Sequence, residues 1–390
     1  MALRIVIDVR HLKDFGFGTY IRNLIRALAA QQSENHYQLV ALKKDLHDLA
    51  GLSANFQIVT YDRSDTDWRE QITFPLFLRK LRADLYHIPL NNVPIMMPKP
   101  YVVTVHDLSS IMFDHPQDAR NSYHLYRFRR GLLRADRIIA VSGATKRDLQ
   151  SLLNIPASRI RKIYNAIDSK FMDDAAAADA RAAGPEAAEL ERRRILERYQ
   201  INYPFLLYAG TIRPQKNVAR LVEAFAYIRE ELEHHERYKN LRLLIIGDDL
   251  SKYPAVRRAV IQTRSEQSVR FLGFVPLDTL RIFYSSAEAF VFPSLYEGFG
   301  LPPLEAMASG TAVITSSVSS LPEVVDNAAM IVNPENVFDI ARGIREVLLD
   351  DELRKSLIEK GFERLKFFRW EQTAKEVLET YHDAAYKPGN

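Results

Sequence analysis

Ser294-Leu295-Tyr296-Glu297-Gly298-Phe299-Gly300-Leu301-Pro302-Pro303-Leu304-Glu305-Ala306-Met307-Ala308-Ser309-Gly310 follows an apolar run at 289–293 and leads into another at 311–315. A short apolar strand, a glycine-bearing turn and a helix make the βα unit of a parallel sheet covered on both faces. Gly298 and Gly300 let the chain turn tightly and expose backbone N–H groups with no Cβ in the way. Pro302 and Pro303 suit a helix start, where a missing N–H costs little. The pattern predicts that helix over 304–309, with Glu305 in its first turn, and a helix N-terminus receives phosphate charge. Glu305 is then placed to accept hydrogen bonds from a ribose diol. Glu297, in the loop, is placed to hold hydroxyls of a sugar. Either glutamate alone would read as a surface or dipole-complementing residue. Together, with backbone donors between them, they form a constellation suited to a nucleotide sugar.

Outward from this stretch, the same alternation fills the second half of the chain. Strands are expected at 205–209, 241–247, 269–271 and 329–332, and helices at 218–231, 277–286, 336–350 and 351–362. The first half repeats it. A strand at 3–8 precedes the turn Asp14-Phe15-Gly16-Phe17-Gly18-Thr19 and a helix at 20–31 with Ile21, Leu24, Ile25 and Leu28 on one face. Further strands are expected at 37–42, 56–59, 85–88, 102–105 and 137–141. Two successive βα series predict an α/β protein of two facing, Rossmann-like, doubly wound domains. Ligands are expected beyond the carboxyl ends of the strands, in the cleft such domains form. The expected division is a first domain at 1–172, a linker and solvated helix at 173–198, a second domain at 199–366 and one more amphipathic helix within 367–390.

Composition narrows the class. The chain has 390 residues, 47% of them apolar and 26% charged, the balance of a soluble globular protein. Its net charge of +4 fits an anionic substrate or a membrane surface without requiring either. With no Cys, disulfides, thiolate zinc sites and cysteine nucleophiles are excluded. The N-terminal run reads as a buried strand rather than a signal peptide, and no apolar window reaches membrane-spanning length. The cytoplasm is the expected compartment.

The spacing Glu297-x7-Glu305 resembles the donor-site signature of the retaining glycosyltransferase family 4, of the GT-B fold. Other stretches are similar in the same order. They are Asp8 with Gly16-Phe17-Gly18-Thr19-Tyr20, Thr104-Val105-His106-Asp107-Leu108, Ala135 to Ser142, Ile163-Tyr164-Asn165-Ala166-Ile167-Asp168, Phe271-Leu272-Gly273-Phe274-Val275, and Trp370-Glu371. The resemblance implies a nucleotide-sugar donor, GDP- or UDP-linked, a glycan or lipid-linked acceptor, and no metal cofactor. It implies His106 at the reacting sugar and Lys216 against the diphosphate. Gly16 and Gly18 would lie near donor phosphates or acceptor, the Val275 backbone at the base, and Glu305 at the ribose. Glu297 would act with the N–H groups of Gly298, Phe299, Gly300 and Leu301 on sugar and phosphates. Gly210-Thr211-Ile212-Arg213-Pro214-Gln215-Lys216-Asn217 resembles a mannosyltransferase-like subgroup reading G-T-L-E-P-R-K-N, with Arg213 for Glu and Gln215 for Arg. A second cation is thereby expected at Arg213. The implied role is transfer of a hexose, mannose first, into a bacterial surface polysaccharide such as lipopolysaccharide.

Rival readings have weaker signals. Asp65-Thr66-Asp67 is a D-x-D string, a metal motif in another glycosyltransferase fold, here in a polar loop. Gly16-x-Gly18 lacks the third glycine of a dinucleotide fingerprint, since Ile21 stands there. His106 reads alternatively as a strand-end histidine bonded to a backbone carbonyl. Arg127, Arg129 and Arg130, near Tyr123 and Tyr126, suit a solvated helix face or a membrane-surface contact better than nucleic acid. A nucleotide-sugar epimerase, a phosphorylase and a non-catalytic nucleotide-sugar binder remain as alternatives within the fold.

Overall fold

A computed structural model describes residues 2–14, 16–63, 69–90, 93–113, 119–172 and 185–386. The Asp65-Thr66-Asp67 string and most of the Ala-rich stretch after 172 lie outside them. The chain divides into two compact units. One comprises residues 1–166 with 368–390, the other residues 167–367.

The first unit is built on a parallel seven-stranded sheet of order β3-β2-β1-β4-β5-β6-β7. Its strands are β1 (Arg4–Asp8), β2 (His36–Ala41), β3 (Phe56–Thr60), β4 (Leu85–Ile88), β5 (Tyr101–Val105), β6 (Arg137–Ala140) and β7 (Ile160–Lys162). Every residue of β4 and β5 is buried, as a central parallel strand covered on both faces requires. The register runs Ile5 opposite Tyr37 on one side and Leu85 on the other. Helix Phe17–Ala30 buries Ile21, Leu24, Ile25 and Leu28, the predicted face, and begins earlier than the periodicity suggested. Helix Glu70–Lys80 spreads its apolar residues around Pro75 rather than along one face, helix Gly143–Leu153 and the short β7 carry few, and none of the three stands out in the sequence. Helix Trp370–Tyr386 belongs to this unit, where Tyr381 reaches β4.

The second unit repeats the plan with six parallel strands, order β10-β9-β8-β11-β12-β13. They are β8 (Phe205–Gly210), β9 (Arg242–Gly247), β10 (Val269–Gly273), β11 (Ala289–Phe292), β12 (Val313–Ser316) and β13 (Met330–Val332). Both sheets reverse direction of growth at one place, between β1 and β4 and between β8 and β11. The carboxyl ends beside such a reversal are where doubly wound sheets bind ligands. Helix Pro185–Arg198 carries the charged run on an exposed surface and lies in this unit, Arg192 donating to Ser286 Oγ at 2.9 Å.

One predicted boundary is corrected. The signature helix spans Leu301–Ala308 rather than 304–309, because Pro302 and Pro303 sit inside its first turn rather than ahead of it. Glu305 therefore falls in the second turn. Among the described residues no helix is long and apolar enough to cross a membrane.

Candidate active site

In the second unit, β8 ends at Gly210 (φ +149°), opposite Gly247 (φ +153°) of β9. A Cβ on Gly247 would meet the Gly210 carbonyl oxygen at 1.9 Å, so the end of β9 admits no side chain there. The chain then enters the turn Pro214–Lys216, followed by Asn217 in the left-handed region at φ 60°. Asn217 Nδ2 donates to Pro293 O at 3.0 Å and Pro334 O at 2.7 Å. The Leu295 N–H donates to Gln215 O at 2.7 Å. These bonds dock the turn after β8 onto the loop after β11 and deliver Lys216 to Glu297. Lys216 Nζ lies 2.6 Å from Glu297 Oε1 and 5.6 Å from the centre of the Phe292 ring. Both side chains are largely buried.

Glu297 is held by two residues that local sequence reading passed over. Ser319 Oγ accepts from the Glu297 N–H at 3.1 Å and donates to its carbonyl at 2.6 Å. Ser320 Oγ sits 2.9 Å from Glu297 O and 2.8 Å from Phe299 O. The serine-rich run Ser316-Ser317-Val318-Ser319-Ser320, between a strand and a helix, was the available signal. Gly300 caps the signature helix at φ 108°, and a Cβ there would strike Leu321 Cδ2 at 2.8 Å. Pro302 and Pro303 bring no N–H, so the backbone donors at this end come from the loop and from Gly300 and Leu301.

Glu305 is half-buried and accepts a hydrogen bond from Tyr284 OH at 3.0 Å. Burial raises its pKa to about 7; the Tyr284 bond opposes that shift and Asp168 adds to it. Neither Tyr284 nor Asp168 is near Glu305 in sequence, and only the tertiary fold brings them to it.

The remaining expected donor residues spread across the same sheet edge. Val275 is buried just beyond β10, which is the edge strand. β10 stands three strand intervals from β11, about 14 Å at ordinary sheet spacing, the scale of an extended nucleotide. Arg213 is exposed at the start of the turn, within electrostatic reach of Tyr253. Tyr253 OH donates to Asp248 Oδ2 at 2.9 Å, and the Ile212 N–H approaches the same oxygen at 3.4 Å. Asp248 thus shapes the loop after β9.

In the first unit, Gly16 (φ +81°) is the exposed cap of helix Phe17–Ala30. Gly18 is a packing glycine. Its Cβ would meet Leu12 O at 2.3 Å, and its N–H is committed to Asp14 O at 2.9 Å. Asp8 is also committed, holding Arg10 through both carboxylate oxygens at 2.9 and 2.8 Å. His106 lies just past β5, nearly buried, with Nε2 3.1 Å from Pro89 O. A carbonyl only accepts, so Nε2 carries the proton and Nδ1 keeps a lone pair. Burial is the main cause lowering its pKa to about 4, against the Pro89 bond and Asp107, which raise it. Phe17 and Tyr20 flank the ring at 5.0 and 4.7 Å between centroids. The carbonyl-bonded strand-end reading is therefore met at Nε2, and among the described residues Nδ1 has no hydrogen-bond partner.

Arg127 is corrected. It is 3% exposed and lies 5.7 Å from the Tyr123 ring, so it is no outward cation. Arg129 and Arg130, on the same helix Ala119–Arg134, are exposed.

Residues 16–171 match the model of "Glycosyltransferase Family 4" and residues 191–364 that of "Glycosyl transferases group 1". The chain is 32% identical over 307 residues to "O-antigen chain mannosyltransferase B" of Escherichia coli, covering 78% of this chain and 75% of that one. The chain belongs to glycosyltransferase family 4. Solved structures agree with this family 4 enzyme in fold. Sucrose-phosphate synthase from Thermosynechococcus elongatus matches at TM-score 0.72 with 23% identity, over 97% of this chain and 98% of that one. WaaG, a glycosyltransferase involved in lipopolysaccharide biosynthesis, matches at 0.70 with 15% identity, over 97% and 99%. The family 4 glycosyltransferase thus has the α/β, doubly wound GT-B architecture that the sequence predicted.

Proposed function

We propose that this glycosyltransferase moves a hexose, mannose first, from a GDP- or UDP-sugar to a hydroxyl of a glycan or lipid-linked saccharide in bacterial surface polysaccharide synthesis. The observation that carries the donor reading is the Lys216–Glu297 pair at the sheet reversal of the second unit, with Glu305 on the helix that the Glu297 loop leads into. The choice of mannose rests on the O-antigen mannosyltransferase relative.

The chemistry follows from the residue types. Departure of the nucleoside diphosphate builds charge on its bridging oxygen. Lys216 and the N–H groups of Gly298, Phe299, Gly300 and Leu301 stabilise that charge without a metal. Glu297 accepts hydrogen bonds from sugar hydroxyls, Glu305 from the ribose, and the Val275 backbone meets the base. His106 accepts from a sugar hydroxyl at Nδ1. Retention is assigned by family resemblance and same-face substitution, and Glu297 is not cast as a nucleophile. Residues 199–366 carry the donor and residues 1–172 the acceptor. Arg213 supplies a second cation only if the loop around Asp248 rearranges. Arg129 and Arg130, with exposed Tyr123 and Tyr126, give a peripheral contact to an anionic membrane on the cytoplasmic side.

A thermal-shift screen against GDP, UDP, ADP and TDP and their sugar conjugates, without added metal, tests the donor. A ligand that binds only the folded state raises Tm by mass action. A rise confined to one base names the donor, and no rise with any of them removes the donor reading. Anomeric analysis of the product by NMR then tests retention, which inverted product overturns.

A further inference from the structure

His87, on β4, is fully buried and hydrogen-bonded at both ring nitrogens. Nδ1 lies 2.7 Å from Tyr381 OH and Nε2 lies 2.8 Å from Thr104 Oγ1. Thr104 Oγ1 also bonds Tyr20 OH at 3.2 Å. Burial above all, with a smaller contribution from His106, lowers the His87 pKa to about 3. The ring is thus neutral, one nitrogen donating and the other accepting, and the bonds run as one ordered chain. It joins helix Trp370–Tyr386, β4, β5 and helix Phe17–Ala30. An imidazole at the centre of a parallel sheet costs more desolvation than an aliphatic residue would. Simple packing does not ask for it.

The chain of hydrogen bonds ends at Tyr20, whose ring touches that of His106. Thr104 and His106 stand two residues apart and so face the same side of the extended backbone. The Tyr20 ring meets the His106 ring edge-on, 4.7 Å between centroids at 83°. Trp370, at the start of the C-terminal helix, packs on Tyr20 at 5.7 Å. That helix therefore touches the network twice, at Trp370 and at Tyr381, about 16 Å further along its axis.

We propose that Tyr20, His87 and Tyr381 are positioning residues for transfer. Through the Tyr381–His87–Thr104–Tyr20 chain and the ring contact that ends it, the C-terminal helix fixes the orientation of His106 and the direction of its Nδ1 lone pair. This rests on the reading of His106 as a side chain at the reacting sugar. The Pro89 carbonyl holds the ring by one edge only. Tyr20 stops rotation about that hydrogen bond, and the buried bonds beneath stop movement of Tyr20.

Tyr20→Phe and Tyr381→Phe each remove one hydroxyl and keep the ring, in the full chain. Both are expected to lower kcat about tenfold, as misplacement of a reacting group by a fraction of an ångström does. KM for the nucleotide sugar is expected to stay within about twofold, since the donor unit is untouched. A double-mutant cycle with His106→Ala separates positioning from general loosening. On the His106→Ala background, Tyr20→Phe is expected to change the residual kcat hardly at all. Wild-type kcat in both single variants overturns the proposal. So does a loss that persists undiminished when His106 is absent, because the effect then bypasses His106. If Tyr381→Phe folds poorly, Tyr20→Phe alone decides. Full activity of His106→Ala itself strikes the underlying reading instead, and is a distinct outcome.

Discussion

Lys216 Nζ stands 2.6 Å from Glu297 Oε1, an ion pair joining the turn after β8 to the loop after β11. The two strands are neighbours at the sheet reversal, so the pair spans the place where this fold binds its ligands. In the proposed function these opposite charges meet complementary parts of one donor, an anionic diphosphate and a hydroxylated ring.

Glu297→Ala is expected to lower kcat by about a hundredfold or more, in the range of a lost transition-state contact. The fold should remain, because the loop backbone is held by Ser319 and Ser320 rather than by the carboxylate. Activity assay with circular dichroism checks this; unchanged kcat would remove Glu297 from the site.

Lys216→Ala removes a charge-assisted contact worth about 1.5–3 kcal/mol. Nucleoside diphosphate affinity is expected to fall about tenfold to a hundredfold. The same variant leaves Glu297 without this partner, so Tm should also drop before any ligand is added. Calorimetric titration and a melting curve read the two effects apart. Equal affinity in variant and parent excludes Lys216 from diphosphate binding.

Glu305 links the site to pH. Its folded pKa of about 7 lies above the ordinary carboxyl value of 4.5. Between those values the folded state binds more protons than the unfolded chain, so its contribution to stability declines as pH rises from 4.5 to 7. Ligand binding is expected to move the opposite way. A ribose diol donates best to a carboxylate, so nucleotide-sugar affinity should rise as pH climbs through 7. The intact sugar conjugate suits this test because its diphosphate has no group titrating nearby. Isothermal titration at pH 5.5, 7 and 8.5 should show the rise, and Glu305→Gln should flatten it. A flat profile in the parent protein sinks the assignment.

Asn217 tests the docking of the two loops. Asn217→Ala loses bonds to Pro293 O and Pro334 O and leaves a Cβ residue at φ 60°. The expected destabilisation is about 2–4 kcal/mol, from two buried hydrogen bonds and left-handed strain. Asn217→Gly relieves only the strain and should recover about 1 kcal/mol of it. Urea melts of the two variants decide; identical midpoints would show that conformation is not part of the effect.

Ser320→Ala takes a buried hydroxyl from two loop carbonyls, those of Glu297 and Phe299. Stability is expected to fall by about 1 kcal/mol. A larger relative loss in kcat should accompany it, because the loop that aims Glu297 loosens. Steady-state kinetics at matched folded fractions test it, and parental kcat would leave Ser320 a purely structural residue.

The sequence by itself determined the two βα series, the signature stretch and the family. Those signals are local: apolar runs of strand length, glycines at turns, and carboxylates at fixed spacing around them. Helix Val218–Glu231 and helix Leu277–Ser286 were legible to the residue because their apolar faces repeat without interruption. The start of the signature helix was misjudged because two prolines read equally well ahead of a helix or inside its first turn. Arg127 was misread because burial of one arginine among several is set by its angle on the helix. Only the tertiary structure paired Lys216 with Glu297, set Tyr284 and Asp168 against Glu305, and threaded His87 between Tyr381 and Thr104. Those partners lie far apart along the chain, and strand order, not spacing, brings them into reach. A periodic pattern can report which face of an element is buried; which other element it meets there depends on the whole sheet.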